Sequence, residues 1–172
     1  MPDYIRNYVF GGTFFFTLVT EDRKMLFAEK ANVVILLSSI NKVKARKPFD
    51  LVAYCVMPDH LHLLITLPEN ENEFSQRIRD IKRVTTFALR KTQNNSSLSL
   101  WQKRFWEHTI HDEKDLQNCF DYIHYNPVKH GYSVTMDQWQ WSSYSDYFDS
   151  SSVEQFKFDP TSFEGYQNFC GE

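Results

Sequence analysis

The sequence predicts an α+β domain of the ferredoxin-like, split βαβ type (βαββαβ), with an antiparallel sheet and one added C-terminal helix. Three observations predict it. Short aromatic and β-branched runs alternate with longer stretches of helical period, in the order strand, helix, strand, strand, helix, strand. Glycine and proline punctuate many of the joints between them. A chain of 172 residues with 42% apolar content fits one domain with a sizeable core, and it carries no internal repeat.

TFFFTLVT (13–20) follows Gly11-Gly12 and reads as the first strand. Over 29–46, Val33, Val34, Leu36, Leu37, Ile40 and Val43 form a helical stripe. The cations Lys42, Lys44, Arg46 and Lys47 complement its dipole, and Pro48 stops it. FDLVAYCVM (49–57) is the second strand, Pro58-Asp59 a tight connection, and 60–67 a third strand ended by Pro68. From Glu73 to Lys91 the period is helical again. Phe74, Ile78, Ile81, Thr85 and Ala88 share one face, with Arg79, Lys82, Arg83 and Arg90 opposite. KTQNNSSLSL (91–100) is polar and reads as a mobile loop, and RFWEHTI (104–110) as the fourth strand. Asp112 is placed to cap the added helix, 113–125, whose buried stripe is Leu116, Cys119, Phe120 and Ile123. Past Asn126-Pro127 the chain turns irregular, with WQWSSYSDYF (139–148) as an aromatic wrap. The domain is expected over 1–148, with 149–172 as an acidic C-terminal tail.

Charge is unevenly spread. The net charge is −3, yet residues 1–134 hold 18 Lys and Arg against 15 acids, whereas 135–172 hold one lysine against seven acids. A basic body suits a polyanionic partner, and the tail is expected to compete with such a partner for the basic face. No apolar run reaches the length of a membrane span, and no basic-then-apolar leader opens the sequence, so a cytoplasmic protein without a membrane partner is expected. Cys55, Cys119 and Cys170 show no CxxC spacing and read as reduced thiols, the first two as core fillers.

The chemistry concentrates in two places. In MPDHLHLLITLP (57–68), His60 and His62 lie on one face of a strand, where two imidazoles can hold two corners of a metal site or simply sit hydrogen-bonded and half-buried. On the added helix, Tyr122 and Asn126 are one turn apart. A phenol can serve as a covalent nucleophile and an amide oxygen as a ligand to Mg²⁺ or Mn²⁺; alternatively Tyr122 and Tyr125 pack on the sheet. Asp115, two turns before Tyr122, is a candidate proton acceptor or merely a favourable charge in the first helical turn.

The blocks GGTFFFT, VMPDHLHLLITLP, WQKRFWEHTI, YIHYNPVKHG and WQWSSY, in that order, resemble the His-hydrophobic-His (HUH) single-tyrosine transposases of small insertion sequences, and most closely the REP-associated tyrosine transposases. The resemblance implies that His60, His62 and Asn126 bind a divalent metal, Mg²⁺ or Mn²⁺, and that Tyr122 is the catalytic tyrosine. It implies metal-dependent cleavage and rejoining of a single-stranded DNA hairpin through a 5′-phosphotyrosine link. It does not settle the oligomeric state; the short connection between the fourth strand and the added helix favours a monomer over a helix-swapped homodimer. Gly12 and Thr13 match the family's N-terminal signature and are candidates to touch DNA, although a strand-entry turn also explains the glycine. Arg79, Lys82, Arg83 and Arg90, with Lys103 and Arg104 beyond the loop, form a phosphate track or a solvated face. Lys129 and His130 are placed to hold phosphate near the tyrosine, or Lys129 to neutralise the helix end. Trp101 is the better base-stacking candidate among the tryptophans, while Trp106 suits a core. Two rival functions remain at this stage: a ferredoxin-like nucleic-acid-binding module without catalysis, and a metal-dependent phosphodiesterase that uses water. A covalent protein–DNA adduct separates all three.

Overall fold

Four strands and three long helices form where the period changes dictate. The computed structural model describes residues 7–148. In chain order these are β1 (Thr13–Val19), α1 (Lys30–Arg46), β2 (Asp50–Val56), β3 (His60–Thr66), α2 (Phe74–Thr92), β4 (Trp106–Thr109) and α3 (Glu113–Lys129). Single 3₁₀ turns at Glu21–Arg23, Leu26–Ala28 and Met136–Gln138 and a one-turn α4 (Tyr144–Tyr147) complete the described residues. The sheet order is β2-β3-β1-β4 with every neighbour antiparallel, the split βαβ arrangement that the element order predicts. Among the described residues no helix is long and apolar enough to cross a membrane. The expected acidic tail, 149–172, lies outside the described residues.

The strand alternation sorts β1 onto two faces. Phe14, Phe16 and Leu18 join Leu61, Leu63 and Ile65 of β3 under α1 and α2. Phe15 joins Ala53, Cys55 and Leu64 on the other face, against Cys119, Tyr122 and Ile123 of α3. With both faces covered, β3 reads as an almost continuous apolar run instead of alternating with polar residues. The two histidines of that strand therefore point into a layer of packing, beneath α3.

Several boundaries differ from the sequence expectation, each for a physical reason. α3 runs four residues past 125, through Pro127. Proline removes a donor, but the freed helix end is closed by Gly131 in the left-handed region (φ 73°) and by the Tyr132 amide donating to the Pro127 carbonyl at 2.9 Å. The 91–100 segment is tied down at its end: Leu100 and Trp101 are buried, Trp101 pairs through its backbone with Thr20, and its ring packs 5.4 Å from Phe27. Trp101 is thus a core residue, not an open stacking platform. The aromatic wrap seals the open edge of β2, with the Val56 amide donating to the Trp141 carbonyl (2.8 Å) and the Ser143 amide to the Tyr54 carbonyl (3.0 Å).

His124 fastens that wrap to α3, its Nε2 lying 2.9 Å from Ser143 Oγ. Burial pushes its pKa from 6.5 down to about 4. The folded value lies below the unfolded one, so the stabilisation is complete above pH 6.5 and is lost as pH falls towards 4. The shift is worth about 3 kcal/mol. Urea midpoints are expected to fall across this window in the wild type and to fall less in His124→Gln, which keeps a donor for Ser143 without the charge.

Candidate active site

The stripe that α3 turns to the sheet contains Asp115, Cys119, Tyr122 and Asn126, spaced four, three and four residues apart. Tyr122 and Asn126 are fully buried and stand over His60 and His62 of β3, which are buried too. The two imidazole rings are 4.9 Å apart, and the Tyr122 ring lies 5.5 Å from that of His62. The four residues that the sequence reading joined across 66 positions therefore meet in one layer.

Each histidine is oriented from behind. His60 Nδ1 lies 2.7 Å from Asp59 Oδ1, and His62 Nδ1 lies 3.0 Å from Thr17 Oγ1. The hydrogen bond from His60, with Arg23 assisting, holds the Asp59 carboxyl down to about 2, so it is ionised at neutral pH and accepts the Nδ1 proton. His60 Nε2 lies 3.2 Å from Asn126 Oδ1; with Nδ1 as the donor to Asp59, Nε2 would be left to bind a cation alongside that oxygen. Two ligand atoms at right angles on one Mg²⁺ or Mn²⁺, each about 2.1 Å from it, stand about 3.0 Å apart. The donor set, two imidazole nitrogens and one amide oxygen with carboxylate and hydroxyl partners behind the rings, fits a divalent cation.

Tyr122 has a partner that the spacing alone did not assign. Lys129, seven residues on and so on the same helix face, donates from Nζ to the phenol oxygen at 2.8 Å. Lys129 was expected to hold phosphate near the tyrosine; here its ammonium sits on the tyrosine itself. His130 places its ring 5.4 Å from that of His60. Asp115 is engaged by β4 and the start of its own helix. Its carboxylate lies 2.9 Å from His108 Nε2 and accepts the His111 amide at 2.9 Å.

The basic residues of α2 lie on the other side of the sheet. Arg79, Lys82, Arg83, Phe87, Arg90 and Trp101 line an open groove of 410 Å³ between that helix and the 98–101 segment. The groove is nevertheless at the histidine end of the sheet: Lys82 Nζ donates to the Gln102 carbonyl (2.7 Å), the Gln102 amide donates to the Val19 carbonyl (2.9 Å), and Val19 pairs with His60. Lys103 and Arg104, both exposed, continue from there towards β4. Gly12 and Thr13 stand at the opposite end, where Thr13 pairs with Thr66, about 20 Å along β3 from His60. Gly12 has a packing reason of its own, since a Cβ there would meet the Phe14 ring at 2.9 Å. Two residues escaped the sequence reading. Arg77 is buried, donating to the Pro48 carbonyl and to Glu71, and is unavailable to a ligand. Phe87 is 71% exposed, four residues after Arg83 and three before Arg90; an aromatic interrupting a basic stripe was the signal.

A ferredoxin-like sheet that presents a strand histidine pair to a tyrosine and an amide on a covering helix defines the class of single-tyrosine transposases. A family model described as "Transposase IS200 like" matches residues 8–126, and the chain belongs to that family. It is 39% identical over 144 residues to the REP-associated tyrosine transposase of Escherichia coli K12, covering 84% of this chain and 83% of that one. A Haemophilus influenzae protein assigned to the same group is 41% identical over 153 residues, covering 84% of this chain and 86% of the relative. The structure of a REP-associated tyrosine transposase bound to a REP hairpin superposes with a TM-score of 0.77 at 38% identity, covering 85% of this chain and 84% of that one.

Proposed function

We propose that this transposase cleaves and rejoins single-stranded DNA beside a REP-like hairpin in the cytoplasm, with Tyr122 as nucleophile and Mg²⁺ or Mn²⁺ held by His60, His62 and Asn126. The observation that carries the reading is the meeting of these four side chains in one buried layer. The hairpin in the related complex supports the choice of substrate. The short connection from β4, ending at Thr109, to α3, starting at Glu113, favours a monomer over a helix-swapped homodimer. The catalytic domain is 1–148, followed by an acidic C-terminal tail over 149–172.

The cation, when bound, would polarise the scissile phosphate and offset charge on its oxygens. The remaining steps belong to the chain. The Lys129 ammonium stabilises negative charge on the Tyr122 oxygen and so favours its attack on phosphorus. The phenol proton passes to water, the P–O3′ bond breaks, and the products are a 5′-phosphotyrosine and a 3′-oxyanion that takes up a proton. The reverse attack by the 3′-hydroxyl restores the phosphodiester without an external energy source. The DNA stem runs over Arg79, Lys82, Arg83 and Arg90, a displaced base stacks on Phe87, and the strand passes Lys103 and Arg104 at the sheet end to reach His60. Gly12 and Thr13, at the far end, bind only a DNA long enough to span the sheet.

Incubation of the full chain with Mn²⁺ and an end-labelled hairpin oligonucleotide is expected to yield a denaturant-resistant protein–DNA adduct. Cleavage without an adduct would favour hydrolysis by water, and tight binding without either would favour a non-catalytic binder. The groove has its own test. Arg79→Gln/Arg83→Gln is expected to lower the slope of log K against log salt by about 2 for a duplex stem, one phosphate contact per arginine. An unchanged slope would return this face to ordinary solvated surface.

A further inference from the structure

We infer that the chain carries a second metal site, for a thiophilic divalent cation of the Zn²⁺ type, built by His108, Asp115 and Cys119. It shares no ligand with the His60–His62–Asn126 site and does not rest on the proposed reaction.

His108 lies on β4, in register with Phe15, and so turns its ring to the α3 face. Its Nε2 stands 2.9 Å from both carboxylate oxygens of Asp115. Asp115 sits in the first turn of α3, whose N-terminus is fixed by the Asp112 side chain accepting the Asp115 amide at 2.8 Å. One turn further, Cys119 is buried with its Sγ 4.0 Å from Asp115 Oδ1. One nitrogen, one oxygen and one sulfur all lie within 4.8 Å of one another. A histidine–carboxylate bond by itself would suffice to dock the helix start on β4. The thiol facing the same carboxylate at i+4 supplies a third donor, at the spacing by which one helix face grips a metal.

The distances decide whether these atoms can share an ion. With Zn–S of about 2.3 Å and Zn–N or Zn–O of about 2.0 Å, donors at tetrahedral angles stand roughly 3.3–3.5 Å apart. The pairs at 2.9 Å and 4.0 Å bracket that range and the third lies within 4.8 Å, so donor shifts of about an ångström close the site. His108 and Asp115 side chains are 14% and 12% exposed, leaving one side for entry and for a fourth ligand, water or His111, whose ring lies 5.6 Å from that of His108. On binding, the Cys119 thiol gives its proton to solvent, the His108 proton moves from Nε2 to Nδ1, and Asp115 exchanges its hydrogen bond for a metal bond. Thiolate with imidazole and carboxylate selects Zn²⁺ or Co²⁺ over Mg²⁺, the reverse of the oxygen-containing set around Asn126. The ion would staple β4 to the first two turns of α3, one turn before Tyr122.

Titration of the metal-free full chain with Co²⁺ alone tests this. A thiolate-to-cobalt charge-transfer band is expected to rise and saturate. It is expected to vanish in Cys119→Ser, to persist and saturate at one equivalent in His60→Gln/His62→Gln, and to need at least tenfold more Co²⁺ in Asp115→Asn, which leaves the thiol intact. No band in the wild type, or a band that survives in folded Cys119→Ser, overturns the site. If Cys119→Ser fails to fold, the Asp115→Asn titration decides: unshifted affinity overturns the site. DNA is absent throughout, so failure of the proposed reaction and failure of this site register separately.

Discussion

Tyr122→Phe is expected to abolish covalent capture of a hairpin oligonucleotide and to lower strand cleavage on the order of 10⁴-fold or more. The substitution deletes the one atom that would bond to phosphorus, and removal of a nucleophile ranks among the largest single-residue effects in covalent catalysis. The fold should hardly notice. The aromatic ring keeps its edge contacts with Phe15 (centroids 6.1 Å) and His62 (5.5 Å), and losing the hydrogen bond from Lys129 costs about 1 kcal/mol. Hairpin affinity should likewise stay near the wild-type value, because the groove residues lie across the sheet. Tyr125→Phe, on the same helix but off the stripe that faces the sheet, is expected to retain the adduct. Denaturing gels of end-labelled substrate, with a parallel binding isotherm, measure all of this. Full cleavage by Tyr122→Phe would hand the reaction to water.

The fold was legible because its pattern is local. Each strand announces itself by β-branched and aromatic residues, each helix by its stripe, and the order of the elements leaves one common way to close the sheet. The histidine pair and Tyr122–Asn126 were legible for a similar reason, since period two on a strand and period four on a helix put each pair on one face before the two faces meet. The parts that escaped depend on tertiary contact. Nothing in the local pattern around Lys129 says that its ammonium reaches back seven residues to a phenol. A proline at 127 argues for a helix end, yet the helix continues to Lys129, and the Gly131 and Tyr132 amides close its last carbonyls. Arg77 counts as one more base in a basic stretch until Pro48, from another loop, brings it a carbonyl. Trp101 reads as exposed because its neighbours are polar, yet a backbone bridge to Thr20 carries it inside. Cys119, legible as a core filler, is one, but the atoms around its sulfur come from β4.

The second large effect concerns the histidine pair, and it separates ligands from the groups that aim them. His60→Gln and His62→Gln are each expected to lower cleavage by about 10²–10³-fold, with Mn²⁺ binding weakened in parallel and hairpin affinity unchanged. Glutamine is preferred to alanine because both rings are packed, His62 against Phe15 at 5.3 Å, and a cavity would confound the reading. Thr17→Val keeps the volume beside His62 but removes the hydroxyl that meets Nδ1, and Asp59→Asn does the same to the charge behind His60. These two are expected to cost about 10–100-fold in metal affinity, less than the ligands themselves, and to be rescued in part by higher Mn²⁺, since an intact Nε2 remains to be aimed. Manganese binding followed by electron paramagnetic resonance, alongside cleavage rates over a range of Mn²⁺, distinguishes the two classes. Positioning variants should recover at high metal and ligand variants should not. If all four variants responded alike to added metal, the imidazoles would be packing groups under α3, and the cation would have to be held elsewhere.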